Sequence, residues 1–219
     1  MKKVLGLVVV LTLAVAMLVA CGGDEDYAGD QTETPETPVV EQPVELEEPA
    51  DLWEGDMPRV KIEIEDYGDV VLELNEKAAP LSVENFLGLV EDGFYDGLTF
   101  HRIIGGFMIQ GGDPEGTGMG GSGNHITGEF AQNGVDNPIQ HVRGVISMAR
   151  SQDFDSASSQ FFIVHEDSRM LDGGYAGFGR VVEGIEVVDA IVENVQTIDD
   201  NGGVLAEDKP VITRITVLP

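Results

Sequence analysis

Beyond residue 58, apolar residues recur in short segments that have the periods of β-strands. Residues 59–66 (RVKIEIED) place an apolar side chain at every second position, which is the period of a half-buried strand. A Tyr-Gly-Asp turn follows at 67–69, and the run VVLEL at 70–74 predicts the partner strand of a hairpin. Similar runs predict six further strands, at residues 99–104, 107–110, 144–149, 161–165, 178–182 and 211–218.

Two segments have the apolar spacing of helices. Pro80 opens the first, which ends at Gly93 and has an apolar face made of Leu81, Val83, Phe86, Leu87 and Val90. The second covers residues 184–194 (GIEVVDAIVEN). Many short strands joined by Gly- and Asp-rich loops predict a mainly β domain over residues 59–219. Because two helices cannot cover both faces of a flat sheet of this size, we expect a closed eight-stranded antiparallel barrel with a helix capping each end.

The first residues of the chain have the pattern of an export signal. Lys2 and Lys3 precede the uncharged run 4–20, which is shorter than the about 20 apolar residues of a membrane-spanning helix. The run stops at Cys21, the only cysteine of the chain, within the sequence LVAC. This stretch resembles the lipobox of bacterial lipoproteins. The resemblance implies that residues 1–20 are a signal peptide and that Cys21 becomes the lipidated N-terminus. An uncleaved membrane anchor with an incidental cysteine is the alternative.

Residues 21–58 are predicted to be a disordered linker that starts at the lipidated Cys21. Between residues 22 and 58 there are 13 acidic residues, no basic residue and five prolines, without any strand or helix period. Such a segment buries too little apolar surface to offset its conformational entropy, and its charges keep it extended. A contact of Trp53 with the domain is left open.

The charge of the chain excludes one class of partner. With 40 Asp and Glu against 12 Lys and Arg, the formal net charge is −28, so we expect no binding to nucleic acid. A single cysteine also excludes an intramolecular disulfide framework.

One motif within the domain is highly specific. Residues 100–113 (FHRIIGGFMIQGGD), preceded by Phe94 and Tyr95, resemble the signature of the cyclophilins, which are peptidyl-prolyl cis/trans isomerases. Five further stretches match in the same order, at 83–86 (VENF), 146–149 (ISMA), 160–163 (QFFI), 171–173 (LDG) and 178–179 (FG). The resemblance covers nearly all of residues 59–219. It implies an eight-stranded antiparallel barrel with two capping helices, Pro-containing polypeptides as partners, and no cofactor or metal; we expect a monomer.

The chemistry of this reaction requires an electrostatic donor rather than a nucleophile. Rotation about an X-Pro bond has a barrier of about 18–20 kcal/mol, and no bond is broken. In the twisted state the imide nitrogen becomes pyramidal and gains a lone pair. A donor aimed at that lone pair binds the twisted state better than either planar state, which lowers the barrier. Arg102 is the candidate donor, because its guanidinium is planar and permanently charged.

The resemblance also assigns the other site residues. It places Gln110 beside Arg102, where it hydrogen-bonds the substrate backbone and orients the guanidinium. It assigns the apolar pocket for the proline ring to Phe107, Met108, Phe162 and Leu171. The further predicted substrate-binding residues are Ala149, Arg150, Gln160, Met170 and Tyr175. For Phe107 and Phe162 the competing interpretation is plain core packing, which is what we expect of Phe86, Phe100, Phe130, Phe161 and Phe178.

Four positions depart from the family pattern. Gly105 replaces a proline, and Met170 replaces the tryptophan that matters for cyclosporin binding in the human-type proteins. Tyr175 replaces a pocket-lining histidine, and its hydroxyl can still donate a hydrogen bond. Arg150 replaces an asparagine that contacts substrate largely through its backbone.

Weaker signals are set aside. Residues 118–123 fit G-x-G-x-x-G, but no helix follows, so a surface loop is predicted. Residues 199–203 (DDNGG) lack the twelfth-position Glu of a calcium loop, so a turn is predicted. We expect a structural role for His101. His125, His141 and His165 lack the sequence spacing of metal ligands, so we expect each of them to be either a hydrogen-bonded histidine or a surface residue.

The leading hypothesis is an isomerase that acts on exported proteins and is anchored by lipid at the outer face of the cell membrane, which is the periplasmic side in a Gram-negative cell. The alternatives are a non-catalytic Pro-peptide-binding chaperone or scaffold module on the same fold, and a solute-binding lipoprotein. The absence of a two-lobed α/β pattern counts against the last.

Overall fold

A computed structural model describes residues 48–219 and contains the strands and helices that the sequence predicts. The signal peptide, Cys21 and most of the predicted linker lie outside this range. The eight strands are β1 (Arg59–Ile64), β2 (Gly68–Leu74), β3 (Thr99–Ile104), β4 (Met108–Asp113), β5 (Val145–Met148), β6 (Phe161–Val164), β7 (Gly177–Glu183) and β8 (Ile212–Val217). The two helices are α1 (Pro80–Glu91) and α2 (Ile185–Asn194). Within residues 48–219, no helix is long and apolar enough to cross a membrane.

The strands form one antiparallel sheet in the order β3-β4-β6-β5-β7-β2-β1-β8. The sheet curls until its two edge strands approach each other. Their contact is confined to one bridge between Thr99 and Val211, with flanking hydrogen bonds such as that from the Phe100 amide to the Pro210 carbonyl at 3.0 Å. The predicted closed barrel is therefore not confirmed, and the sheet is an eight-stranded half-barrel.

A loop pairs with the rest of the outer edge of β3. Beyond Phe100, the outer edge of β3 is taken by residues 199–203: the Ile103 amide donates to the Gly202 carbonyl at 2.8 Å, and Arg102 forms a bridge with Gly203. The loop satisfies these backbone groups. From Val211, β8 runs in the other direction, as the hydrogen bond from the Ile212 amide to the Leu98 carbonyl at 2.7 Å shows.

Aromatic residues fill the core between the sheet and α1. The ring of Phe86 lies 5.2–5.6 Å from the rings of Tyr95, Phe161 and Phe178. The five phenylalanines predicted to be core are all buried: Phe86, Phe100, Phe130, Phe161 and Phe178. Leu81 differs from its prediction because it lies in the first turn of α1, where it is 43% exposed while its amide donates to Glu129.

Residues 48–58 correct the predicted linker, because they pack on the domain. Leu52 is buried in a hydrophobic cluster with Ala78, and its carbonyl accepts a hydrogen bond from Asn75 Nδ2 at 2.6 Å. The Arg180 guanidinium lies 4.4 Å from the ring of Trp53. The contact that was left open for Trp53 is thus present, since two apolar side chains and a cation–π contact offset the cost of ordering this short stretch.

We predict that Leu52→Ala lowers the free energy of unfolding by about 2 kcal/mol, because a Leu side chain loses its buried contacts. The measurement is urea unfolding of residues 22–219, with Leu205→Ala as the matched control, because the Leu205 side chain is 46% exposed. Trp53 is the only tryptophan, so its fluorescence reports on the same contact. If acrylamide quenches Trp53 equally in the native and unfolded chains, and both Leu variants are equally stable, the packing of this segment is contradicted.

Candidate active site

Nine of the eleven residues predicted for the site on the domain line one cavity of about 120 Å³. They are Arg102, Phe107, Met108, Gln110, Ala149, Arg150, Phe162, Leu171 and Tyr175. Two predicted residues lie elsewhere. Gln160 lines a neighbouring cleft of about 500 Å³ that shares Gln110, Ala149 and Arg150 with the cavity, whereas Met170 is 72% exposed and lines neither.

Strand register places the functional side chains in a row across three strands. Gln110 on β4 is directly opposite Arg102 on β3 and Phe162 on β6. Residues opposite each other in an antiparallel pair project to the same face of the sheet. Met108 is two positions from Gln110 along β4, so it shares that face. The donor, its amide partner and part of the apolar wall are therefore positioned by β-sheet pairing.

The guanidinium of Arg102 is fixed from two sides. Its Nε donates to the carbonyl of Asn201 at 2.8 Å, and its Nη1 donates to Gln110 Oε1 at 3.2 Å. Partial burial lowers the pKa of Arg102, and the nearby Tyr175 and Asp199 act in the opposite direction. Because the guanidinium pKa is so high, the group remains charged at neutral pH.

A chain of amide side chains continues from Gln110 into the cleft. Gln110 Nε2 donates to Gln160 Oε1 at 2.8 Å, and Gln160 Nε2 donates to the carbonyl of Gly120 at 2.8 Å. Gln160 therefore supports the orientation of Gln110, which in turn orients Arg102. This link accounts for the position of Gln160 outside the cavity itself.

The loop that holds Arg102 was not predicted to belong to the site. Residues 199–203 form the turn expected from DDNGG, with the Gly202 amide donating to the Asp199 carbonyl at 3.1 Å. Gly202 has φ of 78°, and a Cβ added there would lie 2.3 Å from the Ile103 carbonyl oxygen, so only glycine fits. The sequence indicates a turn, but it has no signal that this turn lies beside β3.

The apolar wall of the cavity is backed by a buried polar network. The Phe162 ring stacks on His141 at 6.0 Å and meets the Tyr175 ring edge-on at 5.9 Å. His141 lies with Nδ1 2.9 Å from Asp172 Oδ1 and Nε2 3.0 Å from Ser147 Oγ. Both ring nitrogens of His141 are thus within hydrogen-bond distance of a partner, as expected for a satisfied histidine. These contacts fix the ring against which Phe162 packs.

His101 lies next to Arg102 in sequence but does not line the cavity. It is buried, and neither of its ring nitrogens has a hydrogen-bond partner among residues 48–219. Burial lowers the pKa of His101, and the charge of Asp113 opposes this effect. A neutral, enclosed imidazole is consistent with the predicted structural role.

The glycine-rich loop predicted at 118–123 forms a wall of the cleft. Asp113 holds the loop by accepting hydrogen bonds from the amides of Glu115, Thr117 and Gly118 at 2.6–2.9 Å. Sequence reasoning missed the cleft and these lining residues: Gly118, Met119, Gly120, Gly121, Gly123, His125, Ser151, Ser156 and Ser158. No group of three or more His, Cys, Asp or Glu side chains able to hold a metal ion occurs in the range 48–219.

Comparison with known proteins agrees with this geometry. Residues 59–217 match the family model described as "Cyclophilin type peptidyl-prolyl cis-trans isomerase/CLD". A peptidyl-prolyl cis-trans isomerase of Helicobacter pylori is 48% identical over 126 residues, which are 57% of this chain and 74% of that protein. Peptidyl-prolyl cis-trans isomerase B of Bacillus subtilis is 48% identical over 123 residues, or 56% of this chain and 82% of that protein.

Solved structures show the same fold. A cyclophilin-type peptidyl-prolyl cis-trans isomerase of Cryptosporidium parvum superposes with a TM-score of 0.66 at 32% identity, covering 75% of this chain and 99% of that one. A second structure of the C. parvum protein, in the presence of the dipeptide Ala-Pro, gives a TM-score of 0.65 at 34% identity, with 74% and 99% covered. The chain therefore belongs to the cyclophilin-type peptidyl-prolyl cis-trans isomerases, enzymes of class EC 5.2.1.8.

Proposed function

We propose that this isomerase accelerates X-Pro rotation in exported proteins while it is anchored by lipid at the cell envelope. The observation that supports its catalytic part is the position of Arg102, whose guanidinium is oriented by Asn201 and Gln110 at the edge of an apolar cavity. Clients are Pro-containing polypeptides, and the C. parvum relative solved with Ala-Pro is consistent with that class. The enzyme acts as a monomer and does not bind nucleic acid.

The cavity and Arg102 divide the work of catalysis. Phe107, Met108, Phe162 and Leu171 provide apolar surface that grips the proline ring. The peptide on the other side of the imide bond is then free to turn, while Gln110 hydrogen-bonds its backbone. As the imide nitrogen becomes pyramidal, an N–H of Arg102 donates to the new lone pair. This interaction exists only in the twisted state, so it lowers the barrier instead of tightening ground-state binding.

We predict that Arg102→Ala reduces kcat/KM by about 100- to 1000-fold, the usual cost of losing one preorganised donor. Arg102→Lys keeps the charge but loses the planar fork, so it recovers only part of the rate. The measurement is NMR exchange on an Ala-Pro tetrapeptide, with Arg214→Ala as the control because Arg214 is exposed and lies outside both cavities.

Two outcomes would contradict the mechanism. If Arg102→Ala isomerises the peptide at the wild-type rate, the guanidinium is not the donor. If the wild-type protein binds the peptide without accelerating exchange, the chain is the non-catalytic Pro-peptide-binding module that the sequence left as the alternative.

The envelope part of the proposal rests on the LVAC sequence that ends at Cys21. We predict that in a bacterial host the mature chain begins at an acylated Cys21, and that Cys21→Ala is neither acylated nor cleaved at that position. Labelling with a palmitate analogue and intact-mass spectrometry measure both properties. A wild-type mass that still includes residues 1–20 without an acyl group would contradict lipidation and indicate an uncleaved anchor.

A further inference from the structure

Arg150 lines both the cavity and the cleft, and it is half-buried. It follows β5 and is the next residue after Ala149, which also lines both spaces. The guanidinium carbon lies 4.9 Å from the ring centroids of Phe130 and of Phe154, and 4.6 Å from that of Tyr175. A cation within about 6 Å of an aromatic face is attracted by the ring quadrupole, and here three rings act on one cation.

Hydrogen bonds fix the same group. Its Nε and Nη2 donate to the carbonyl of Gly174 at 2.9 and 2.7 Å, and its Nη1 donates to the carbonyl of Ser151 at 2.8 Å. A bidentate contact to one oxygen sets the plane of the guanidinium as well as its place. None of the ion pairs found in residues 48–219 includes Arg150, so aromatic faces and backbone carbonyls satisfy its charge.

These contacts join three separate loops at one point. Phe130 precedes the short 3₁₀ helix Ala131–Asn133, Phe154 belongs to the loop 150–156, and Gly174 with Tyr175 belongs to the loop 172–176. The Phe130 and Phe154 rings also meet edge-on at 5.3 Å. Removal of the guanidinium therefore loosens three loops together.

Tyr175 links Arg150 to the cavity that is assigned to the substrate proline. This ring lines the proline cavity and packs edge-on against Phe162, which forms part of the apolar wall. A displacement of Tyr175 changes the shape of the cavity, while the hydrogen bonds that orient Arg102 and Gln110 do not involve it. We therefore expect a larger change in substrate affinity than in the rate at which the bound substrate isomerises.

We propose that Arg150 is a positioning residue of the isomerase, which holds Tyr175 and the loop 150–156 as the wall shared by cavity and cleft and does not bind substrate through its charge. The proposal deepens the proposed function and rests on it. The sequence assigned Arg150 to substrate binding largely through its backbone, and the side chain now receives a role of its own.

A double-mutant cycle tests whether Arg150 acts through Tyr175. The four proteins are the wild type, Arg150→Ala, Tyr175→Ala and the double variant, and NMR exchange on an Ala-Pro tetrapeptide gives KM and kcat separately. We expect Arg150→Ala to raise KM about three- to thirtyfold and to change kcat less than about threefold, because misplacement of a wall residue weakens positioning. In the Tyr175→Ala background the same change should raise KM less than about twofold. Independent, multiplicative effects on KM would overturn the proposal.

Arg150→Lys supplies the conservative variant. A lysine ammonium still lies within the three rings but cannot make the bidentate contact to Gly174, so KM is expected between those of the wild type and Arg150→Ala. Arg214→Ala, which removes an exposed guanidinium that lines neither space, is expected to leave KM unchanged. A KM for Arg150→Lys as high as that of Arg150→Ala would overturn the role of the aromatic contacts.

Direct recognition of substrate charge is tested with three peptides that carry Glu, Gln or Lys two residues before proline. The proposal predicts that Arg150→Ala affects all three by the same factor. A loss confined to the Glu peptide would overturn it in favour of a direct ion pair. If the wild type shows no isomerisation at all, the proposed function fails. The role of Arg150 is then still tested by measuring the peptide Kd of the same four proteins by NMR titration. Independent, multiplicative effects of the two substitutions on Kd would overturn that role.

Discussion

The antiparallel pairing of β3, β4 and β6 is the constraint on which the site depends. It places Arg102, Gln110 and Phe162 opposite one another, so that one cationic donor, one amide and one aromatic wall share a face of the sheet. A shift of register by one residue would turn each of these side chains to the other face. The chemistry needs only a donor held at a fixed place beside a gripped ring, because no bond is made or broken. Sheet pairing supplies that rigidity more precisely than a loop would.

One loop both covers the outer edge of β3 and orients Arg102. Residues 199–203 bond to the outer edge of β3, and the carbonyl of Asn201 accepts the Nε–H of Arg102. Gly202 makes this approach possible, since a side chain there would collide with the backbone of β3. In the same cavity, the Arg150 guanidinium lies over the rings of Phe130, Phe154 and Tyr175, and we propose that it holds Tyr175 in place.

Short-range sequence patterns predicted most of the secondary structure and most of the cavity lining. Alternation and apolar runs gave eight strands and two helices close to their observed positions, because periodicity reflects which face of each element is buried. The family resemblance over residues 59–219 led to nine cavity-lining residues. Long-range packing was not predictable in the same way. The contact of residues 199–203 with β3, the packing of Leu52 and Trp53, and the exposure of Met170 each depend on parts of the chain that are distant in sequence. Closure of the barrel was predicted because two helices cannot cover both faces of a flat sheet, but the edge strands β3 and β8 meet only near Thr99 and Val211.

A crystal structure of the protein with a bound Ala-Pro peptide tests most directly the claim that Arg102 acts on the imide nitrogen of a gripped proline. The account predicts that the proline ring lies against Phe107, Met108, Phe162 and Leu171, that Gln110 bonds the peptide backbone, and that an Arg102 N–H points toward the proline nitrogen. A proline ring seated in the neighbouring cleft, with the Arg102 guanidinium directed away from the imide bond, would contradict it.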